Sequence, residues 1–335
     1  METHPFQHEY ATSNGVTART AAMRRKQHEA WKNESDFAIH RGVHNETVDC
    51  DPTTGKVRLI EATDAYRDFL AYCQRLYAEG LIDQNIFAIT KAEWTDNAAN
   101  DRIGVYFNTN LAAFPKGLDE NWLGIEEALE GPNGDKLWSA IRANFHSTGN
   151  AIIPATCENP QLVLRWLDYF WTDEGTLFYH MGIEGETFVV KEDGSYDYAP
   201  SIYKEIGDTG LSFDEVAARY SPYPGGGNPT VEIAPYFRGG EMAAVPAATA
   251  RALFAYGPEE YWPSFTFTAE ETEKLNAITT DIKKYCKDMK IGFVTGTIPL
   301  TEWSNYIAQL DQFKTDQLLA IYQTALDRYH ALMKP

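Results

Sequence analysis

The sequence predicts an α/β chain of about two domains' size, and three observations carry that reading. Its 335 residues exceed the roughly 150 expected of one domain, so a sizeable core can be buried. Short β-type runs alternate with capped amphipathic helices between about residues 61 and 200. The last seventy residues carry apolar positions at helical spacing almost throughout.

Taken in chain order, the first 60 residues read as loop and short helix, with a basic cluster at Arg24, Arg25 and Lys26. From Glu61 the pattern sharpens. Thr63 or Asp64 can cap a helix whose apolar positions are Tyr66, Phe69, Leu70, Cys73, Leu76 and Tyr77, and Gly80 ends it. Leu81-Ile82-Asp83 follows as an extended exit, and Arg102 to Asn108 alternates at Ile103, Val105 and Phe107 as a strand does. Gly131-Pro132-Asn133-Gly134 is a turn.

A second unit begins with Ala151-Ile152-Ile153, read as a strand, then Asn159 as N-cap and Pro160 at the first helical position. That helix is expected to run to about Glu174 on a stripe of Val163, Trp166, Leu167, Phe170 and Trp171, with Gly175 as its terminator. Trp166, Trp171 and Trp303 are assigned to core packing on their helical spacing. Lys191 to Ser195 reads as a hairpin turn between Phe188-Val189-Val190 and Tyr196-Asp197-Tyr198. Residues 221–240, rich in Pro and Gly, read as a long loop. Thr268-Ala269-Glu270-Glu271 is a capping box ahead of Leu275, Ile278, Ile282, Tyr285, Cys286 and Met289. Two further stripes follow, Trp303, Tyr306, Ile307 and Leu310, then Leu318, Tyr322, Ala325, Leu326 and Tyr329.

Composition excludes several functions. With 29 Lys plus Arg against 48 Asp plus Glu, the formal charge is −19, which argues against a grip on nucleic acid or anionic lipid. No run approaches the 18 or so apolar residues of a spanning helix, and no signal peptide is visible at the amino terminus. The four cysteines, at 50, 73, 157 and 286, lack CxxC spacing and read as buried thiols, a Cys50 to Cys157 disulfide being the alternative. His4 with His8, and His40 with His44, share i, i+4 spacing without the acid of HExxH, so neither a metal nor a cofactor is expected. There is no G-x-S-x-G elbow, and Gly225-Gly226-Gly227 lacks the order of a nucleotide loop.

Carbohydrate chemistry fits what remains. Nineteen Tyr and eight Trp exceed the needs of a core, and their flat faces suit the C–H patches of sugar rings. The candidate contacts are Tyr106, Asn108 and Asn110 at a strand end, Phe188, and Tyr223, Asn228 and Tyr236 in the Pro/Gly loop. Glu184 and Glu186, flanking Gly185, are suited to ligand hydroxyls, and Glu184 equally to buried backbone donors. They also raise a catalytic alternative, a glycosidase or lyase, although acid and nucleophile normally come from different strands.

Several phrases together resemble one family, the oligosaccharide-type extracellular solute-binding proteins of ABC importers, common as lipoproteins in Gram-positive bacteria. They are Tyr66 to Leu70 with Leu76-Tyr77-Ala78-Glu79-Gly80-Leu81-Ile82-Asp83, the Gly131 to Gly134 turn, and Asn159-Pro160 with Arg165-Trp166-Leu167-Asp168-Tyr169 and Glu174-Gly175. Gly182-Ile183-Glu184-Gly185, Thr268 to Tyr285, Phe293 to Gly296, Glu302 to Tyr306 and Ile321 to Ala325 follow in family order. The likeness covers about residues 50 to 335. It implies a periplasmic-binding-protein-like type II fold of two lobes, a non-enzymatic and monomeric sugar binder, and delivery of an oligosaccharide to the membrane subunits of a permease. It also implies an extracellular, lipid-anchored location. The family's signal peptide, lipid-bearing Cys, first-lobe sheet and calcium loop have no counterpart here. The chain therefore resembles an amino-terminally truncated member in which most of the first lobe is missing. Residues 1–145 are then a partial second lobe, 146–200 return to the first, and 201–335 supply a cleft loop and helices packing on the second.

Overall fold

The computed structural model describes residues 48–51, 54–100, 102–104, 123–128, 130, 136, 151–211, 213–221, 236, 244–257, 262 and 265–333. The chain divides into two compact units, one of Met1–Phe107, Glu127–Asn144 and Leu253–Pro335, the other of Asn108–Glu126 and Phe145–Ala252.

In the first unit, β1 (Val48–Cys50) and β2 (Val57–Leu59) pair antiparallel with Asp49 opposite Arg58. This hairpin replaces the loop and short helix expected over that stretch. Three-residue strands are too short to show an alternating pattern, and distant partners hold them. The Val57 amide donates to Gln323 Oε1 at 3.0 Å, and the fully buried Asp49 carboxylate receives two hydrogen bonds from Arg58, at 2.7 and 3.1 Å. Helix α1 (Asp64–Ala78) starts where Thr63 accepts from the Tyr66 amide, and Gly80 follows it at φ 71°. Helix α2 (Lys91–Ala99) was not legible from apolar spacing, yet Thr90 and Glu93 form a reciprocal capping box, and Trp94 is fully buried.

The carboxy-terminal expectations hold. Helix α8 (Ala269–Thr295), numbered after the second unit's helices below, opens on the Thr268–Glu271 capping box and ends at Gly296 in the left-handed region. With α9 (Trp303–Gln312) and α10 (Thr315–Met333) it buries Leu275, Ile278, Ile282, Cys286, Phe293, Trp303, Tyr306, Leu310 and Leu318 against Phe69, Leu70 and Cys73 of α1. A side-chain bond from Gln74 Nε2 to the Phe293 carbonyl, 2.8 Å, joins α1 to α8 across 219 residues. The Tyr306 hydroxyl sits between the Glu61 carbonyl and Cys286 Sγ, at 3.2 and 3.3 Å. None of the four cysteines is in a disulfide, so the alternative Cys50 to Cys157 bond is not formed; Cys73 and Cys286 are buried, Cys50 and Cys157 half-buried.

In the second unit, α3 (Pro160–Tyr169) begins at Pro160 as expected, though the Asn159 side chain makes no cap bond. It stops early. Helix α4 (Asp173–Met181) restarts the chain with Thr172 as cap, and Gly175 lies inside it rather than after α3. Its glycine serves close approach, since a Cβ there would stand 1.9 Å from the Tyr169 carbonyl oxygen. Trp166 and Trp171 are about three-fifths exposed, contrary to the core assignment that Trp303 fulfils. The side chains that turn inward are Val163, Leu167 and Phe170 instead. Residues 151–153 are no strand, and Ile152 is exposed, because they find no ladder partner among the described residues. Arg102–Gly104, the described part of the expected 102–108 strand, is likewise not a strand, although Ile103 is buried. The Gly131–Gly134 turn lies outside the described residues, as does all of the 221–240 loop except Ser221 and Tyr236.

The expected hairpin is present: β3 (Phe188–Val190) pairs antiparallel with β4 (Tyr196–Tyr198). Helices α5 (Pro200–Thr209), α6 (Phe213–Ala217) and α7 (Ala244–Phe254) follow. Met181, Phe188, Tyr198, Ile202, Ile206 and Val216 form the core beneath the hairpin.

Candidate functional site

The segment from Gly182 to Phe188 is a closed turn built by one hydroxyl and two glycines. Thr187 Oγ1 accepts from the Ile183 amide at 2.6 Å and donates to the Met181 carbonyl at 2.6 Å. The Thr187 and Gly185 amides donate to the Ile183 and Phe188 carbonyls at 2.9 and 2.8 Å. Gly182 and Gly185 stand at φ 86° and 81°, which side-chain-bearing residues rarely adopt. At Gly182 a Cβ would also meet Thr187 Oγ1 at 2.3 Å. The turn is tied to the hairpin by the Ala199 amide on the Thr187 carbonyl, 2.9 Å, and to α4 by the Tyr198 hydroxyl on the His180 carbonyl, 2.9 Å.

Glu184 and Glu186 project from this frame as exposed side chains. The segment is a turn, and satisfying its backbone donors falls to Thr187 rather than Glu184. Thr187 is the residue that sequence reasoning missed. Its signal was a small hydroxyl residue placed five positions after one glycine and two after another, behind which an apolar strand begins.

Phe188 is buried beneath the turn. Its ring lies 5.9 Å from that of Tyr196, which in turn meets Tyr236 edge-on at 5.0 Å. The structure thus brings Glu184, Glu186 and Phe188 into one loop and connects Phe188 to Tyr236 through Tyr196. Partial burial, with Tyr196 and Asp173 nearby, raises the Tyr236 phenol above its ordinary value and keeps it a neutral donor. Beside the hairpin, burial disfavours the Asp197 carboxylate, but hydrogen bonds from Lys191 and from the Tyr203 hydroxyl outweigh it and hold that carboxyl below the usual range. Tyr106, Asn108, Asn110, Tyr223 and Asn228 lie outside the described residues, as do the four histidines of the two i, i+4 pairs.

The first unit carries an open groove of about 480 Å³ between α8 and α9. Tyr285, Met289 and Phe313 line it, with Glu302, Asn305 and Gln309 on one face of the following turn and helix.

The fold is that of the substrate-binding proteins of ABC transporters. The fructooligosaccharide-binding protein FusA of Streptococcus pneumoniae, solved as an EF-hand mutant with fructo-nystose, matches with a TM-score of 0.72 at 19% identity, over 98% of this chain and 67% of that one. An HMO-binding solute-binding protein from Bifidobacterium longum infantis matches with a TM-score of 0.71 at 15% identity, over 96% and 68%. In sequence, FusA is 21% identical over 292 residues, which are 83% of this chain and 51% of the relative. Lipoprotein LipO of Bacillus subtilis is 25% identical over 146 residues, 41% of this chain and 29% of the relative. No family model matches. The chain spans about half the length of FusA. No helix among the described residues is long and apolar enough to cross a membrane.

Proposed function

We propose that the chain serves as the substrate-binding component of an ABC importer, taking up an oligosaccharide outside the cell and presenting it to the permease without chemically changing it. The observation that carries this reading is the agreement of fold with relatives whose names state sugar binding and ABC transport. The Gly182–Phe188 turn supports it from the residue side. Two exposed carboxylates on a backbone with little freedom accept ligand hydroxyls at little entropic cost, since the turn is ordered before the sugar arrives. Tyr236 and the undescribed Tyr106, Asn108, Asn110, Tyr223 and Asn228 supply ring faces and amides, while Phe188 supports the turn from below.

Ligand that contacts both lobes of such a protein favours the closed state by those extra contacts, and the permease reads that state. In this reading the first unit belongs to the second lobe and residues 146–200 to the first. A lipid-anchored position on the outer face of the cell membrane is supported by the similarity to lipoprotein LipO.

The test is calorimetric titration with kestose, nystose, alginate oligomers and milk-type oligosaccharides, with products assayed in the same samples. Saturable heat without turnover is expected for at least one sugar. Glu184→Gln and Glu186→Gln should each weaken it about fivefold, the value of a net hydrogen bond. Turnover abolished by either change would replace this reading with the glycosidase or lyase alternative.

A further inference from the structure

The groove between α8 and α9 has two unlike walls. One is aromatic and apolar: Tyr285, Met289 and Phe313 are each left half-buried there, with the Tyr285 and Phe313 rings 5.3 Å apart. The other is polar. Glu302, Asn305 and Gln309 follow one another at i, i+3 and i+7, which places all three on one face along about 10 Å of turn and helix.

The polar wall does not hold the fold together. Asn305 Nδ2 donates to Glu302 Oε2 at 2.6 Å, so these two side chains orient each other, and the Gln309 side-chain amide has no hydrogen-bond partner among the described residues. The aromatic wall is fixed from beneath. Tyr285 stacks on the buried Tyr306 at 5.5 Å with 21° between the rings, and the Tyr306 hydroxyl is anchored to the Glu61 carbonyl. Lys314, directly after Phe313, stands at φ 60°, a conformation glycine adopts more readily and one that persists where the surroundings impose it. Among the described residues no basic side chain lines the groove, and Glu302 is its one carboxylate.

We infer that this groove binds a neutral sugar of about two rings, laid against Tyr285 and Phe313 and hydrogen-bonded through its hydroxyls to Glu302, Asn305 and Gln309. A sugar ring offers an apolar C–H face and a polar edge, which is the division the two walls present. At about 480 Å³ the groove lies within the range of small-molecule sites. An anionic sugar is disfavoured, because Glu302 would meet it with no cation alongside. An organic cation fits less well, since a cage needs several open ring faces and Tyr285 already has one face on the buried Tyr306. The lining described lies wholly in the first unit, so the inference is independent of the Gly182–Phe188 turn and of any role in transport.

Met289 allows the groove itself to be read. The full chain, with its six methionines ¹³C-methyl labelled and the Met289 signal assigned through Met289→Leu, is titrated by NMR with maltose, cellobiose, sucrose and digalacturonate. Met181, in the core beneath the β3–β4 hairpin, reports on the second unit in the same spectra. At least one neutral disaccharide should move the Met289 signal saturably, with a Kd of about 1 mM, as suits an open site with few contacts. Asn305→Ala/Gln309→Ala should weaken that binding at least about tenfold and keep the parent's urea midpoint, both side chains being exposed. Digalacturonate should bind at least about tenfold more weakly than the best neutral sugar, and Glu302→Gln should narrow that gap. Glu184→Gln/Glu186→Gln should leave the Met289 titration unchanged, so failure at the turn and failure at the groove are told apart. No saturable movement up to about 50 mM sugar, an equal movement with glycerol, or an undiminished one in the double variant overturns the inference. So does tighter binding of tetramethylammonium, which would assign the groove to organic cations. Should the double variant unfold, Glu302→Gln decides, since it can still accept from Asn305: a gap that does not narrow overturns the inference.

Discussion

Arg328 holds Glu271 with both arms of its guanidinium, Nη1 to Oε1 at 2.7 Å and Nη2 to Oε2 at 2.9 Å, so the first turn of α8 is fastened to α10 across 57 residues. The same carboxylate accepts from the Thr268 amide, closing the capping box. Arg328 first, and then that backbone amide, hold the Glu271 carboxyl down at about 2.

A folded-state value below the ordinary 4.5 stabilises the protein above that pH, and the contribution is lost as pH falls toward 2. Glu271→Gln should therefore lower the urea midpoint at pH 6 and lose less of it than the parent between pH 5 and about 2, where the two should converge. Because Arg328 is about two-fifths exposed, about 1 M salt should partly shrink the difference. Thr268→Ala tests the cap separately and should cost about 1 kcal/mol at any of these pH values.

Thr187→Val keeps the shape of the side chain and removes the oxygen that closes the Gly182–Phe188 turn. The Ile183 amide and Met181 carbonyl then lose their partner, at a cost of about 1–2 kcal/mol in chemical unfolding. If the turn presents Glu184 and Glu186 to a ligand, the same variant should weaken sugar binding although Thr187 is buried.

Asp49→Ala should be the most damaging change in the first hairpin. The carboxylate is fully buried, whereas Arg58 is about one-fifth exposed, so truncation leaves a mostly buried guanidinium without its two charge-assisted bonds. A loss of about 3 kcal/mol is expected by urea denaturation, with protection of the 48–59 amides lost first in hydrogen exchange.

Burial pushes the Cys286 thiol up to about 12, with the nearby Glu61 acting in the same direction. A raised folded-state value means stability is intact below the ordinary 9.0 and declines as pH rises from there toward 12. Cys286→Ala should flatten that alkaline decline. In the native parent, a thiol reagent at pH 8 should label Cys50 and Cys157 first, and reach Cys73 and Cys286 only as fast as the protein opens.

Legibility followed the range of the forces involved. Helices α1, α8, α9 and α10 and the β3–β4 hairpin could be read because caps, glycine terminators and apolar spacing act within a few residues. The 90–100 region hid α2 only because Thr90 and Glu93, a local signal, were passed over for the lack of an apolar stripe around Trp94. At the site, the glycines and glutamates of the turn stood out in sequence, whereas the role of Thr187 emerged only once Met181 and Ile183 were folded around it.

The linear sequence by itself determined where most helices begin, which of their faces are apolar and that the chain resembles sugar-binding transport proteins. Tertiary structure alone decided that Asp49 and Arg58 form a buried pair, that Gly175 packs inside a helix instead of ending one, and that Trp166 and Trp171 face solvent while Trp303 does not. The physical reason is that helical periodicity says which side of a helix wants to leave water. Whether anything is there to cover it depends on contacts between residues far apart in the chain, which no local pattern encodes.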